Sequence, residues 1–351
     1  MIGFMVTRST SGFEKTTSGW YSTASWMFSE PRFAQKVNLI ENMPFEPLRP
    51  YSVKDQLQHF IRILQTARSA KLLHLFSTVG KLKPELLAAA CLALLPKSMR
   101  PAVVIQGPMW EPDSGIKGVF EKILLKILRH SVDRFAVYSK EEIPVFSTTW
   151  GIPSHQVDAI PYCFNPKIKI DTPEKQQKSQ YVFAGGNSHR NYLPLVEAAR
   201  MMPDVQFFIA SHRLSGLSGL PANVQASSLP HDVYTKTMEN AAVNIVPIQN
   251  GLHRSVGHQT FLNSMVMKIP TVVNRVLGIE EYIDHEQTGW LVDGSPESYA
   301  EAVRSILAPE NKTRVNEICE NAAAVVREKF SLGREAATLL EWFEILTDRK
   351  D

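Results

Sequence analysis

The chain has 351 residues, more than one hydrophobic core usually organises, which points to two domains of ordinary size. At 44% hydrophobic, 21% charged and a net charge of +3, it has a globular composition and is too weakly basic to track a nucleic-acid backbone. Cys91, Cys163 and Cys319 lie far apart without C-x-x-C spacing, which indicates neither a zinc site nor a disulfide framework and fits a reducing, cytoplasmic setting.

The first apolar run is too short for a secretory leader, and no window predicts a bilayer span. Short β-branched or aromatic runs predict strands at 2–7, 36–40, 72–76, 102–106, 134–138 and 157–161. Between them "PELLAAACLALL" and "GIKGVFEKILLKILRH" carry helical spacing, and "SKEEIPVFSTTWG" opens on a capping serine. This alternation predicts a parallel sheet with helices on both faces. In the helix expected at 115–130, Ile116, Val119, Phe120, Ile123, Leu124, Ile127 and Leu128 share a side, with Lys117, Lys122, Lys126 and Arg129 elsewhere. The pattern predicts an apolar side packed on the sheet, with peripheral contact on the inner face of a membrane as the competing reading.

Residues 164–180 are polar and proline-containing, so the first domain is expected over 1–165, with a linker at 166–180. Strands then recur at 181–184, 205–210, 224–226, 243–247, 271–274 and 289–292, and from Pro296 onward the chain reads as helical. A second α/β domain over 181–330 follows, and two such halves place a cleft at the carboxyl ends of their sheets.

Two segments of the second half have the makings of an anion site. "YVFAGGNSHRNY", 181–192, is an apolar run ending on paired glycines, with Arg190 following; it is neither a Walker loop nor G-x-G-x-x-G. After the strand ending at Pro247, a glycine-containing loop leads through Gly257 into a helix from His258, whose free first-turn amides would form an anion pocket.

The ordered set of strand, glycine loop, helix, "KIPTVV", "GIEEYI", "TGWLV" and "SPESYAEAVRSIL" resembles the donor half of GT-B glycosyltransferases of the retaining family-4 (glycosyl transferases group 1) type. The likeness covers 181–307 and, more loosely, the first half. It implies two Rossmann-like domains, with the helix at 331–351 returning to the first. It also implies transfer of a sugar from a nucleotide-diphosphate sugar, of the UDP or GDP kind, to a hydroxyl acceptor on a glycan, a lipid-linked compound or a small molecule. Retention of configuration is expected, without a metal and with no cofactor besides the nucleotide-sugar co-substrate.

The resemblance places Gly186 and Arg190 at the diphosphate, Arg190 being otherwise a solvated charge in a first helical turn. Ser228 and Leu229 would meet the base, with His231 or Tyr234 nearby, or merely start a helix. Arg254, Ser255, Val256, Gly257 and His258 would flank the donor. The family's two glutamates fall on Ser255, at the sugar, and Asn263, at the ribose. Their loss keeps open a catalytically impaired paralogue or a partner subunit. In the first half Ser18 and Gly19 would approach the phosphates or cap a helix. Trp110 and Glu111 would stack on and bond the acceptor side, or form a hydrophobic lid with a solvated Glu. No general base is assigned.

Overall fold

The computed structural model describes residues 2–5, 27–40, 52–78, 82–108, 110–112, 115–168, 181–214 and 218–348. The chain forms two compact units, Met1–Pro161 with Leu332–Asp351, and Tyr162–Ser331.

In the first unit β1 (Ile2–Met5), β2 (Val37–Ile40), β3 (Leu72–Phe76), β4 (Ala102–Gln106), β5 (Arg134–Val137) and β6 (Val157–Ala159) make one parallel sheet, ordered β2-β1-β3-β4-β5-β6. β3 and β4 are buried along their whole length, as strands covered on both faces must be. The pleat divides their side chains between two cores. Leu73, Leu75, Val103 and Ile105 pack beneath α2 (Val53–Ala67), α3 (Pro84–Leu92), α4 (Gly115–Leu128) and α5 (Glu142–Trp150). Leu72, Phe76, Ala102 and Val104 face α1 (Pro31–Ala34) and the final helix, α11 (Leu332–Asp348). Ser52 and Asp55 start α2 with a reciprocal capping box. Gln106 Nε2 donates to Glu335 Oε1 at 2.7 Å, tying β4 to α11.

The helix α4 differs from its sequence reading. Ile116 is 91% and Phe120 67% exposed, and Val119, Ile123 and Ile127 are exposed as well. The helix meets the core instead along Gly118, Leu125 and Leu128, with Leu124 partly buried. Glu121 lies on that inner line because Lys83, at the start of α3, pairs with it at 3.1 Å. A glycine allows close approach, and the ion pair fixes the rotation, so the larger apolar side chains turn outward.

In the second unit β7 (Tyr181–Gly185), β8 (Gln206–Ala210), β9 (Val224–Ser227), β10 (Val243–Val246), β11 (Thr271–Asn274) and β12 (Trp290–Val292) form a parallel sheet ordered β12-β11-β10-β7-β8-β9. The chain runs β7-β8-β9 to one side and then β10-β11-β12 to the other. A crevice therefore opens at the carboxyl ends of β7 and β10, the topological switch point. The helices are α6 (Leu193–Arg200), α7 (His231–Glu239), α8 (His258–Val266), α9 (Pro296–Leu307) and α10 (Lys312–Lys329). This unit starts ahead of the expected linker: Phe164 and Ile168 join the core of Phe261 and Phe330, and Phe164 N donates to Phe330 O at 3.0 Å. The rest of the expected linker, 169–180, lies outside the described residues. Among the described residues no helix is long and apolar enough to cross a membrane.

His74 of β3 stacks on Phe4 with ring centroids 4.4 Å apart, and burial lowers its pKa to about 3, partly offset by Gln106. A depressed histidine pKa means the unfolded chain binds the extra proton, so stability is complete above about 6.5 and declines as pH falls toward about 3. Replacing His74 by Phe keeps the stack and removes this titration. Its unfolding free energy in urea titrations is expected to fall less between about pH 7 and pH 5 than that of the parent, by at most roughly 1.4 kcal/mol per pH unit. Parallel curves would assign the acid sensitivity to other groups.

Candidate functional site

β7 ends in Gly185, Gly186 follows it, and both glycines are required. A Cβ on Gly185 would lie 2.5 Å from the Tyr234 ring, and Gly186 has φ +111°. The chain then runs antiparallel against the loop after β10. Asn191 N donates to Pro247 O and Gln249 N to His189 O, each at 3.0 Å, around a bridge between Arg190 and Ile248. Tyr192 Oη donates to Gly186 O at 2.6 Å and closes the turn.

Arg190 is therefore not a solvated charge in a first helical turn. It precedes Tyr192, the N-cap of α6, and is only 7% exposed. Its Nη1 donates to Ser188 O at 3.0 Å and its Nη2 to Thr260 Oγ1, in the first turn of α8, at 3.2 Å. Nε has no hydrogen-bond partner, and no carboxylate pairs with the guanidinium among the described residues. Its electrostatic neighbours are Tyr192, Tyr234 and Tyr299, together with a second cation, Arg213. Burial lowers the Arg190 pKa, Arg213 lowers it further, and the tyrosines raise it. A buried cation that donates only to neutral groups and has a second cation beside it is costly, and an anion entering the crevice would relieve that cost.

The second wall is the β10–α8 loop. Gly257, the N-cap of α8, has φ +91°, and a Cβ there would lie 2.8 Å from Ile248 Cδ1. The positive end of the helix and the first-turn amides follow. Arg254 Nη2 lies 2.8 Å from His189 Nε2, and Ser255 is buried. His258 stacks on Tyr162 at 5.1 Å and meets Tyr282 edge-on at 4.8 Å. Burial, reinforced by Arg254 and Arg190, lowers its pKa to about 3, so His258 is neutral near pH 7 and packs rather than carrying charge. A cavity of about 180 Å³ lies beside this wall, lined by Asn250, Gly251, Arg254, Val256, Arg275 and Leu277 among others. Arg275 pairs with Glu280 at its rim.

Other expected site residues are placed differently. Asn263 Oδ1 already accepts Asn165 N at 2.8 Å and Gln259 Nε2 at 2.9 Å. It fastens the incoming chain to α8, so this oxygen is not an open acceptor for a ribose hydroxyl. Ser228 is exposed and Leu229 half-buried just past the edge strand β9, while Tyr234 of α7 reaches the glycine turn. Trp110 is 4% exposed, packed among Phe135, Phe146 and Trp150 with Lys83 Nζ 5.9 Å from its ring. It is a core residue of the first unit and not a stacking platform, because the loop after β4 turns down over the α5 side. Glu111 beside it is half-buried. Ser18, Gly19 and the His231 side chain lie outside what is described. Among the described residues no group of three or more His, Cys, Asp or Glu is placed to hold a metal ion.

Sequence reasoning missed Thr260, Arg213 and Asn274. Asn274 ends β11 and locks the crevice wall: Ile248 N donates to its Oδ1 at 2.7 Å, and its Nδ2 donates to Ile248 O at 2.9 Å and Asn250 Oδ1 at 3.1 Å. A polar residue closing the run "PTVVN" at a carboxyl strand end was the available signal. Asn274→Ala leaves the buried Ile248 amide unsatisfied and should cost about 1–3 kcal/mol in chemical denaturation. A loss below about 0.5 kcal/mol would show that the loop holds itself.

Residues 175–309 match the family model described as Glycosyl transferases group 1. The sequence has no significant match among curated proteins. Solved structures match along nearly the whole chain at low identity. Sucrose-phosphate synthase from Thermosynechococcus elongatus aligns with TM-score 0.70 and 13% identity over 99% of both chains. Anabaena HepE, in complex with UDP and glucose, aligns with TM-score 0.63 and 14% identity over 98% of this chain and 99% of that one. WaaG, a glycosyltransferase involved in lipopolysaccharide biosynthesis, aligns with TM-score 0.62 and 13% identity over 96% of this chain and 98% of that one. The chain thus has the fold of these GT-B glycosyltransferases, and its residues 175–309 are similar to the glycosyl transferases group 1 family.

Proposed function

We propose that the protein moves a sugar from a nucleotide-diphosphate sugar to a hydroxyl acceptor, with the diphosphate held at the crevice between β7 and β10. The observation that carries the reading is Arg190, a buried guanidinium without a carboxylate, at the switch point of the domain similar to group 1. HepE, the structural relative solved with UDP, with UDP and glucose and with UDP-glucose, favours UDP as the nucleotide.

In this reaction the bond between the anomeric carbon and the β-phosphate oxygen breaks, a bond to the acceptor oxygen forms, and the acceptor proton passes to the departing diphosphate. Negative charge grows on the leaving oxygen in the transition state. Arg190 and the amides at the start of α8 are preorganised to stabilise it, with Arg254 assisting. Retention of configuration and independence of a metal belong to the same reading, supported by the family resemblance and by the concentration of fixed positive charge. The wide spacing of Cys91, Cys163 and Cys319, without C-x-x-C pairs, agrees with a cytoplasmic site of action.

A second reading is favoured by one specific observation: Ser255 carries no carboxylate for the sugar, and Asn263 is committed to Asn165 and Gln259. On it the chain binds the nucleotide sugar without transferring it. Thermal melting with UDP, GDP and ADP tests the shared part. UDP is expected to raise the melting temperature by about a few degrees at saturating concentration, and Arg190→Ala to abolish the rise. An undiminished shift in the variant would remove Arg190 from the site. Slow hydrolysis of UDP-sugars by the pure protein separates the two readings, and binding without any turnover would establish the second.

A further inference from the structure

The cavity of about 180 Å³ in the second unit is bounded by the loop after β10 on one side and by Arg275, Val276 and Leu277, which follow β11, on the other. It has room for one six-membered ring, since a cavity of about 150 Å³ admits benzene. Two of the side chains that line it, Arg254 and Arg275, are cations, and none is acidic. Leu252, Val256 and Leu277 supply apolar surface between them.

The polar part of the lining consists of donors fixed in place by the sheet and its loops. Arg275 follows Asn274, the residue that pins Ile248, and its N donates to Val292 O at 2.8 Å, so its backbone is tied to the end of β12. Its guanidinium pairs with Glu280, with the two side chains 49% and 57% exposed. An ion pair so open to water is weak enough to make room for a second carboxylate. Arg254 is steadied by His189, its Nη2 lying 2.8 Å from the ring Nε2. Asn250 uses its oxygen to accept from Asn274 Nδ2 at 3.1 Å, which leaves its amide nitrogen as a donor. Guanidinium groups donate and never accept, so they suit an anionic pair of oxygens better than the hydroxyls of a neutral sugar, which also need acceptors.

We infer that this cavity holds a sugar that bears a carboxylate, so that the donor is a nucleotide-diphosphate uronic acid and not one with a neutral hexose, with Arg275 and Arg254 meeting the carboxylate. The inference rests on the proposed seating of the diphosphate at Arg190 and the first turn of α8. Arg254 and Val256 line the cavity and also lead directly into Gly257, the N-cap of α8, so a group bonded to the β-phosphate at that helix start lies next to the cavity. The single-ring volume fits the glycosyl unit, and the absence of an acidic lining residue leaves both cations to the carboxylate. Glu280 then has a definite role: it holds Arg275 at the rim until the substrate's carboxylate arrives.

Calorimetric titration of the full chain with UDP, UDP-glucose and UDP-glucuronic acid tests it. UDP-glucuronic acid is expected to bind about tenfold more tightly than UDP-glucose in low salt, and the ratio to shrink as salt is raised. Arg275→Gln should bring the ratio close to one. Arg275→Lys, which keeps the charge but loses the two-pronged geometry, should leave it at an intermediate value. Equal or weaker binding of UDP-glucuronic acid overturns the inference, and so does a ratio undiminished in Arg275→Gln. A carboxylate carried by the acceptor would give UDP-glucuronic acid no such advantage, so that source is separated by the same titration. UDP binding that is lost in Arg190→Ala, without any preference for the uronic acid, sinks this inference alone. If none of the three ligands binds, the diphosphate reading falls and this inference falls with it.

Discussion

A guanidinium buried without a carboxylate is the constraint around which the second unit is arranged. Arg190 is held by Ser188 O and Thr260 Oγ1, neutral groups that fix its position without cancelling its charge. The surrounding features serve that placement. Gly186 lets the backbone turn at φ +111°, which side chains rarely adopt, the Arg190–Ile248 bridge binds the turn to the next loop, and Asn274 pins Ile248 from the neighbouring strand. Two loops far apart in sequence thus become one rigid wall at the point where strand order reverses. Preorganised positive charge of this kind loses little to reorganisation when an anion meets it.

The same economy of charge explains the neutral residues nearby. His258 stands at the start of α8 between two arginines, where a second proton would be repelled and poorly solvated, and it is kept neutral and packed between Tyr162 and Tyr282. Asn263, one turn further along the helix, is spent on Asn165 and Gln259, which anchors the chain entering the unit. The crevice wall therefore concentrates positive charge around Arg190 and Arg254 while its histidine stays neutral.

In the first unit, one ion pair has a consequence out of proportion to its strength. Lys83 draws Glu121 to the inner side of α4, Gly118 lets the helix approach, and the apolar residues that would have covered the sheet are left facing out. The sheet loses nothing by this, because Leu125, Leu128, Phe146 and Trp150 already fill the space, with Trp110 drawn in among them. Trp110 and α4 are thus two sides of one packing arrangement: the aromatic ring takes the core position and the helix presents its larger side chains to the surroundings.

Short apolar runs alternating with helical patterning marked the twelve strands found among the described residues and their parallel pairing class, because each strand's burial on both faces demands an apolar run that is visible locally. The glycine turn and its arginine were likewise legible, since a strand, paired glycines and a cation lie within a dozen residues. Only the tertiary structure decided that Arg190 is buried rather than solvated, that Asn263 is occupied, that Trp110 is core, and which side of α4 meets the sheet. Those outcomes depend on residues 70 to almost 100 positions away, such as Thr260 for Arg190 and Asn165 for Asn263, or on a neighbouring helix, such as Lys83 for Glu121. Local patterning fixes which residues share a face; which face is buried, and which charge is left without a partner, is settled by what packs against it.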